Sequence, residues 1–230
     1  MKKTLLALSL LVTGLTVGHA QIIITEVDAS GSSATVNSYA ADWFELTNYG
    51  SSAVSISGWK MDDSSDKFSS AVSLKGVSSI APGQSVVFVE DTGLASGQTD
   101  ADLEAAFESN WFGSHVPAGF TIGTYGGSGV GLSTSGDAVN IFNATGTQVT
   151  GVDFDSSTDT VSLDNSVAKI GNDGTISTNS VAGKNGAFLS PVGEVGSPGA
   201  VPEPSTYAML IAGVLALAGV QMRRRSSSSL

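Results

Sequence analysis

The chain has 230 residues, no cysteine, and 10 basic against 21 acidic residues, which gives a formal net charge of −11. The missing cysteines exclude a disulfide framework, a thiolate nucleophile and a zinc–thiolate site. The acidic balance argues against a nucleic-acid partner, because binding to phosphates requires clustered Lys and Arg side chains. The sequence therefore predicts an acidic protein that depends on its apolar core for stability.

The first twenty residues have the three parts of a secretory signal peptide. Lys2 and Lys3 make the start basic, residues 5–17 are apolar, and small residues precede a predicted cut between Ala20 and Gln21. We therefore predict residues 1–20 to be a signal peptide and the protein to be exported. The alternative is an uncleaved membrane anchor.

Residues 21–200 are predicted to form one domain, which is long enough for a substantial core. Five basic and twenty acidic residues fall in this region, so its net charge is −15. Short β-branched or alternating segments between turn residues predict strands at 22–27, 43–47, 54–57, 58–61, 85–89, 138–142, 150–154 and 167–170. Many short strands at this spacing favour a β-sandwich.

The segment 43–46 shows how one of these strands should be placed. A period of two puts Phe44 and Leu46 on one face and Trp43 with Glu45 on the other. Phe44 and Leu46 are therefore predicted to pack between the sheets. Glu45 is predicted either to accept hydrogen bonds from a neighbouring loop or to face water, and Trp59 is predicted to lie in the core.

One short helix is predicted between residues 99 and 109. Thr99 or Asp100 can cap its first turn, and Asp102 complements the positive end of the helix dipole. Its apolar residues repeat at helical spacing: Leu103, Ala106 and Phe107. The stretch 111–135 is rich in glycine and is predicted to be loop.

Several motifs, taken in order, resemble the lamin-tail domain family. They occupy residues 23–27, 42–48, 54–59, 80–85, 132–139 and 196–199. The resemblance implies an all-β fold, an immunoglobulin-like β-sandwich over residues 21–200. The insertion at residues 91–120, which carries the short helix, departs from the family, and there the resemblance predicts little.

The segment 201–225 has three parts, of which the first and the last flank a short apolar stretch. Pro202, Glu203 and Pro204 come first, and residues 207–222 follow, which as a single transmembrane helix would cover roughly 24 Å of a bilayer. A basic end follows, which is expected to stay in the cytoplasm: Arg223, Arg224 and Arg225. A serine-rich stretch occupies residues 226–230.

These three parts resemble the PEP-CTERM sorting signal of exported bacterial proteins. The resemblance implies an exosortase as partner and processing near the Pro-Glu-Pro motif. It also implies a single-pass precursor with its domain outside the cytoplasm, released after processing to the cell surface or the extracellular matrix. Exopolysaccharide or other surface proteins are then possible partners.

Signals for catalysis are sparse, and the sequence predicts a protein that is not an enzyme. His115 is the one histidine outside the signal peptide, and it lies in a predicted loop. A Ser-His-Asp arrangement stays open, but no serine has the Gly-x-Ser-x-Gly setting of a nucleophile elbow. The glycine-rich run 126–129 lacks the lysine of a phosphate-binding loop.

No cofactor is predicted, although one acidic loop has partial calcium-ligand spacing. Asp153, Asp155, Asp159 and Asp164 fall at positions 1, 3, 7 and 12 of an EF-hand-like loop, whereas Thr158 stands where that loop has glycine. The alternative is a solvated acidic surface.

Three classes of function follow from these patterns. The first is an exported bacterial surface or extracellular-matrix protein with a non-catalytic sandwich. The first alternative is an adhesion module that binds calcium or a glycan, and the second is an accessory protein of a secreted hydrolase.

Overall fold

The computed structural model describes residues 22–31, 36, 38–166 and 174–200. The predicted signal peptide, the strand predicted at 167–170 and the whole segment from residue 201 onward lie outside the described residues. The described elements, in chain order, are β1 (Ile22–Asp28), β2 (Trp43–Asn48), β3 (Val54–Ser55), β4 (Lys60–Asp62), β5 (Val72–Ser73), β6 (Ser79–Ile80), β7 (Ser85–Glu90), α1 (Asp100–Phe112), β8 (Ile122–Tyr125), β9 (Asp137–Phe142), β10 (Gln148–Phe154), β11 (Leu163–Asp164), β12 (Gly174–Ile176), β13 (Phe188–Leu189) and β14 (Val195–Gly196).

Within the described chain, most strands belong to two five-stranded sheets. The first sheet has the order β11-β1-β2-β7-β8, and the second has the order β12-β10-β9-β4-β5. Each sheet is antiparallel except at one edge, where β8 runs parallel to β7 and β12 runs parallel to β10. Two short ladders, β3–β6 and β13–β14, complete the strand pairing.

The main core lies between the two sheets and follows from the alternation of the strands. Phe44 and Leu46 of β2 are fully buried there, together with Phe88 of the neighbouring β7 and Ile141 of β9 in the other sheet. The predicted inward face of β2 is therefore confirmed, and Trp59 also lies in this core, as predicted. This arrangement is consistent with the immunoglobulin-like β-sandwich that the sequence predicts.

Helix α1 covers the outer face of the first sheet. Trp43, which points away from the main core, meets Trp111 and Phe107 of the helix edge to face, with ring centroids 5.6 and 5.7 Å apart. A second apolar cluster results, which contains Val87 and Val89 of β7 as well. The side chains on the outer face of β2 are therefore buried from solvent, like those on its inner face.

The predicted start of the helix is confirmed, and its predicted end is three residues too early. The Thr99 side chain accepts from the Asp102 backbone N–H, and the Asp102 side chain accepts from the Thr99 N–H, which is a complete capping box. The helix continues beyond Ser109 to Phe112 and ends at Gly113, whose φ is 61°. The added turn carries Trp111, which packs on the sheet.

The prediction of loop over residues 111–135 is wrong at two places. Residues 111 and 112 are helical, and β8 (Ile122–Tyr125) pairs with β7. The sequence has no strand signal here, because Gly123 interrupts the pattern of apolar residues. A Cβ at Gly123 would lie 2.3 Å from the Lys75 carbonyl oxygen and 3.0 Å from the Phe88 ring, so the strand tolerates no side chain there.

Among the residues that the structure describes, no helix is both long and apolar enough to cross a membrane. The transmembrane helix predicted at residues 207–222 lies outside those residues.

Candidate functional site

The outer face of the first sheet places two glutamates side by side. Glu26 of β1 is the cross-strand partner of Glu45 of β2, and a β-bulge between Ile24 and Glu26 adds Thr25 to β1. Ile24 and Val27 both reach the main core, so the bulge leaves Thr25 and Glu26 on the side of Glu45. Like charges directly opposite each other destabilise a strand pair. The pair therefore needs compensating contacts.

Both carboxyl groups are withdrawn from water, since Glu26 is 1% exposed and Glu45 is 2% exposed. Burial raises the pKa of Glu26 to about 7; the charge of Asp164 on β11 acts in the same direction. Burial, and then the charge of Glu26, raises the pKa of Glu45 to about 8. Within the described residues neither group forms an ion pair with a lysine or arginine. The site thus favours the uncharged forms.

Glu26 is bound by donors from the last part of the domain. Its Oε1 accepts from the Ser197 backbone N–H at 2.7 Å, and its Oε2 accepts from Ser197 Oγ at 2.7 Å. Ser162 Oγ also donates to Oε1. One carboxyl group therefore fixes Ser197 by its backbone and its side chain together.

Glu45 binds the same segment two residues further along. Its Oε2 accepts from the Gly199 backbone N–H at 2.6 Å, and its Oε1 accepts from Thr25 Oγ1 at 2.6 Å. The prediction that Glu45 accepts a hydrogen bond from a loop is confirmed, and the alternative that it faces water is wrong, because its side chain is buried and accepts from Gly199.

A third contact holds the last described residue. Ser85 Oγ on β7 donates to the Ala200 carbonyl at 2.9 Å and lies 2.7 Å from Thr47 Oγ1 on β2. We call residues 195–200 the clasp, and we call the side chains that bind it the seat: Glu26, Glu45 and Ser85. The clasp lies across three neighbouring strands of the first sheet.

The two glycines of the clasp are required because neighbouring side chains lie too close to their backbone to leave room for a Cβ atom. A Cβ at Gly196 would lie 2.7 Å from Glu26 Oε1 and 2.8 Å from the Trp111 ring. Gly199 has a φ of +74°, and a Cβ there would lie 2.5 Å from the Phe120 ring. The sequence Gly-Ser-Pro-Gly is thus fitted to the seat, with Ser197 as the residue that donates.

A second set of hydrogen bonds connects the residue just before the clasp, Glu194, to helix α1 through Tyr39. Tyr39 donates its hydroxyl to Glu194 Oε1 at 3.0 Å and accepts from Trp111 Nε1 at 3.3 Å. Glu194 directly precedes the clasp and is fully buried. The end of the domain is therefore fixed to both the sheet and α1.

The seat is built to hold a segment of its own chain. Its carboxyl oxygens accept from side chains and backbone groups that enclose them, and buried carboxyl groups without access to solvent cannot reach a substrate. The sequence drew attention to Glu45 of the seat and to residues 196–199 of the clasp as separate features. Glu26 and Ser85 lay within the lamin-tail motifs, but their role was missed, because only the fold places their strands beneath the clasp.

Two of the four aspartates of the predicted calcium loop lie in different sheets, and the other two lie in the connection between them. Asp153 lies in β10 of the second sheet and is exposed, whereas Asp164 lies in β11 of the first sheet. Asp164 Oδ1 accepts from Ser166 N, and its Oδ2 accepts from Asn185 Nδ2. Among the residues that the structure describes, no three His, Asp or Glu side chains are grouped to hold a metal ion. Asp153, Asp155, Asp159 and Asp164 therefore form no ligand set here.

His115 lies in an exposed loop after α1, as predicted. Its Nδ1 is 3.0 Å from Ser114 Oγ, the side chain of its neighbour in the chain. Among the described residues, no carboxylate forms an ion pair with this ring, so the Ser-His-Asp alternative gains no support from the geometry.

A small pocket lies between the first turns of α1 and residues 38–41. Its volume is ≈ 100 Å³, and its lining includes Glu90, Gln98 and Asp102. Pockets for small ligands usually measure about 300–1,000 Å³. This pocket is therefore too small to hold such a ligand without rearrangement.

Comparison with known proteins gives two matches to family models. Residues 17–156 match the Lamin Tail Domain, and residues 200–225 match the PEP-CTERM protein-sorting motif. A search of curated proteins finds no match. The first match contains Glu26 and Glu45 of the seat, and the second begins at Ala200, the last residue of the clasp. Both resemblances drawn from the sequence are confirmed.

Proposed function

This chain belongs to the lamin tail domain family, and we propose that it is a non-catalytic surface or matrix protein that an exosortase processes near Pro202, Glu203 and Pro204. The sorting motif that follows its domain marks it as an exported surface protein sorted by way of an exosortase. The proposal adds the processing step, the destination after it and the absence of catalysis.

The observation that carries the proposal is the junction at Ala200. Ala200, the last residue that the structure describes, is held by Ser85, and the sorting motif begins at the same residue. The chain thus divides into a sandwich and a tail without an intervening catalytic module. Such a division suits a passenger domain delivered by its tail.

The polar chemistry of the sandwich supports a role without catalysis. The titratable groups whose pKa values rise to about 7 and 8 are enclosed by the clasp, and the pocket beside α1 is small. A strongly shifted pKa indicates a functional site when the group lies in a cleft that substrate can enter, and structural contacts also shift pKa values. Here the shifts accompany a structural contact.

The predicted anchor supplies the means of sorting. A helix over residues 207–222 would hold the precursor in the membrane, with Arg223, Arg224 and Arg225 on the cytoplasmic side. Cutting near the Pro-Glu-Pro motif would separate the sandwich from this helix. The product is then free to attach to the cell surface or to enter the extracellular matrix, where exopolysaccharide or other surface proteins are its partners.

The test is the intact mass of the protein recovered from the cell surface and the medium. We expect chains that begin near Gln21 and end close to Glu203, without the three arginines. A Glu203→Gln variant should accumulate as an uncut precursor in the membrane fraction, and a Glu108→Gln variant, altered in the helix, should be cut normally. Surface protein that retains residues 223–225 would show that the tail is a permanent anchor.

A further inference from the structure

The clasp leaves almost no free chain before the sorting motif. Ala200 is bound at the seat, and Val201 is the one residue between it and Pro202. Two residues span at most about 7 Å, so the length of the chain keeps Pro202 within about 7 Å of the bound Ala200. A peptidase that cuts near this motif must take the chain into its cleft in an extended form, and the folded domain stands in the way.

We propose that the clasp must leave the seat before the exosortase can cut, so that the sandwich controls access to its own sorting site. This inference rests on the processing proposed above and adds its regulation. Release of residues 195–200 would add six residues of free chain, or roughly 20 Å of reach. That length separates the domain from the enzyme.

The contacts of the clasp allow it to open by itself. Its regular structure is the two-residue strand β14, which pairs with β13, and one bridge from Val195 to Val161. Val195 also donates its backbone N–H to the Thr160 carbonyl, and its own carbonyl accepts from the Ser162 N–H. Further along, Ser197 and Gly199 donate to Glu26 and Glu45, Ala200 accepts from Ser85, and residues 196–198 are buried. Local opening of a segment with few ladder contacts requires less free energy than global unfolding. Cutting of such a segment follows the population of the open form.

The inner face of the sandwich need not change when the clasp leaves. Glu26 and Glu45 project from the outer side of β1 and β2, whereas Phe44 and Leu46 pack in the main core. The tail can therefore be released from a domain that stays folded.

A disulfide across the seat tests the proposal directly. Ser85 Oγ lies 2.9 Å from the Ala200 carbonyl, which places the two residues side by side. Because the chain has no cysteine, a double variant, Ser85→Cys with Ala200→Cys, contains a single pair of thiols. It is produced as the full chain in cells that carry the exosortase. We expect the crosslinked fraction, recognised by the loss of two hydrogens in its mass, to be cut at least tenfold more slowly than the uncrosslinked fraction, and reductant to restore cutting.

The single variants, Ser85→Cys and Ala200→Cys, are the matched controls and should be cut at similar rates with or without reductant. A crosslinked fraction that is cut as fast as the uncrosslinked fraction overturns the proposal. If wild-type chain is not cut near the motif at all, the proposed function fails instead, and the two failures are thereby distinguished.

A second experiment weakens the binding of the clasp by substitution and does not depend on crosslinking. Ser197→Ala combined with Ser85→Ala removes the side-chain hydrogen bonds to Glu26 and from β7. We expect faster exchange of the amide hydrogens of residues 197 and 199 and cutting that is several-fold faster. Ser69→Ala, an exposed serine away from the seat, should change neither rate. Faster amide exchange without faster cutting would overturn the proposal.

Discussion

The space between the sheets and the outer face of the first sheet are both closed to water, but different forces hold them. Between the sheets, Phe44, Phe88 and Ile141 fill volume, and their contribution follows the apolar area that they bury. On the outer face, beside the apolar cluster under α1, Glu26 and Glu45 lose their contact with water and accept hydrogen bonds from the clasp instead.

The difference indicates which region can change state. An apolar core opens only when the sheets separate, because contact with water is less favourable for its side chains than contact with one another. A buried carboxyl group has a second favourable partner in water. The seat can therefore exchange the clasp for solvent, whereas the main core has no such alternative.

The largest expected effect is in the main core. Phe44→Ala removes a fully buried ring that stacks on Phe88 with centroids 5.6 Å apart, and the free energy of unfolding should fall by about 4 kcal/mol. Phe68→Ala, at a half-buried ring on the outer side of the second sheet, is the matched control and should cost clearly less. Denaturant titration measures both, and equal losses would contradict the ranking.

The pH dependence of stability tests the seat. Because burial raises the pKa values of Glu26 and Glu45 above the ordinary 4.5, their contribution to stability is fully present below about pH 4.5. It is lost as pH rises through about 7 and 8. We expect the free energy of unfolding to fall steadily between pH 5 and pH 9, because the folded state binds more protons than the unfolded state over this range, as measured by denaturant titration at each pH.

Glu45→Gln should flatten this dependence, because one titrating group and its repulsion of Glu26 are both removed. Asp164 and Tyr49 also face the pair, and they stay unchanged in the variant. Asp153→Asn, at an exposed aspartate of β10, should leave the wild-type curve as it is. A Glu45→Gln curve as steep as that of the wild type would show that the seat does not titrate.

A smaller effect is expected from the last contact of the clasp. Ser85→Ala removes the donor to the Ala200 carbonyl and the partner of Thr47 Oγ1, which should cost about 1 kcal/mol of unfolding free energy. Ser69→Ala is its control and should stay within about 0.5 kcal/mol of wild type. If Ser85→Ala costs as much as Phe44→Ala, the seat is as essential to folding as the main core.

The smallest effect concerns the predicted calcium loop. Asp153→Ala should change the free energy of unfolding by less than about 0.5 kcal/mol, and added calcium should leave the Tm unchanged, since the four aspartates do not meet. A calcium-dependent rise in Tm that Asp153→Ala abolishes would restore the calcium hypothesis, because a ligand stabilises the state that binds it.

The sequence by itself determined the β-rich class, five of the long strands and the start of α1. Strands β1, β2, β7, β9 and β10 carry β-branched or alternating residues whose period is a local property, and the capping box needs only Thr99 and Asp102. The two family resemblances are likewise patterns of residues in order. None of these features requires knowledge of which strands meet.

The tertiary structure alone decided where the polar residues act. Strand β8 is specified by close approach at Gly123 to β7 and Lys75, not by a pattern of its own. The seat joins residues 26, 45 and 85 to residues 197–200, which are more than 100 positions away in the chain. A hydrogen bond at that separation depends on strand order and register, and these are set by the packing of the whole sandwich.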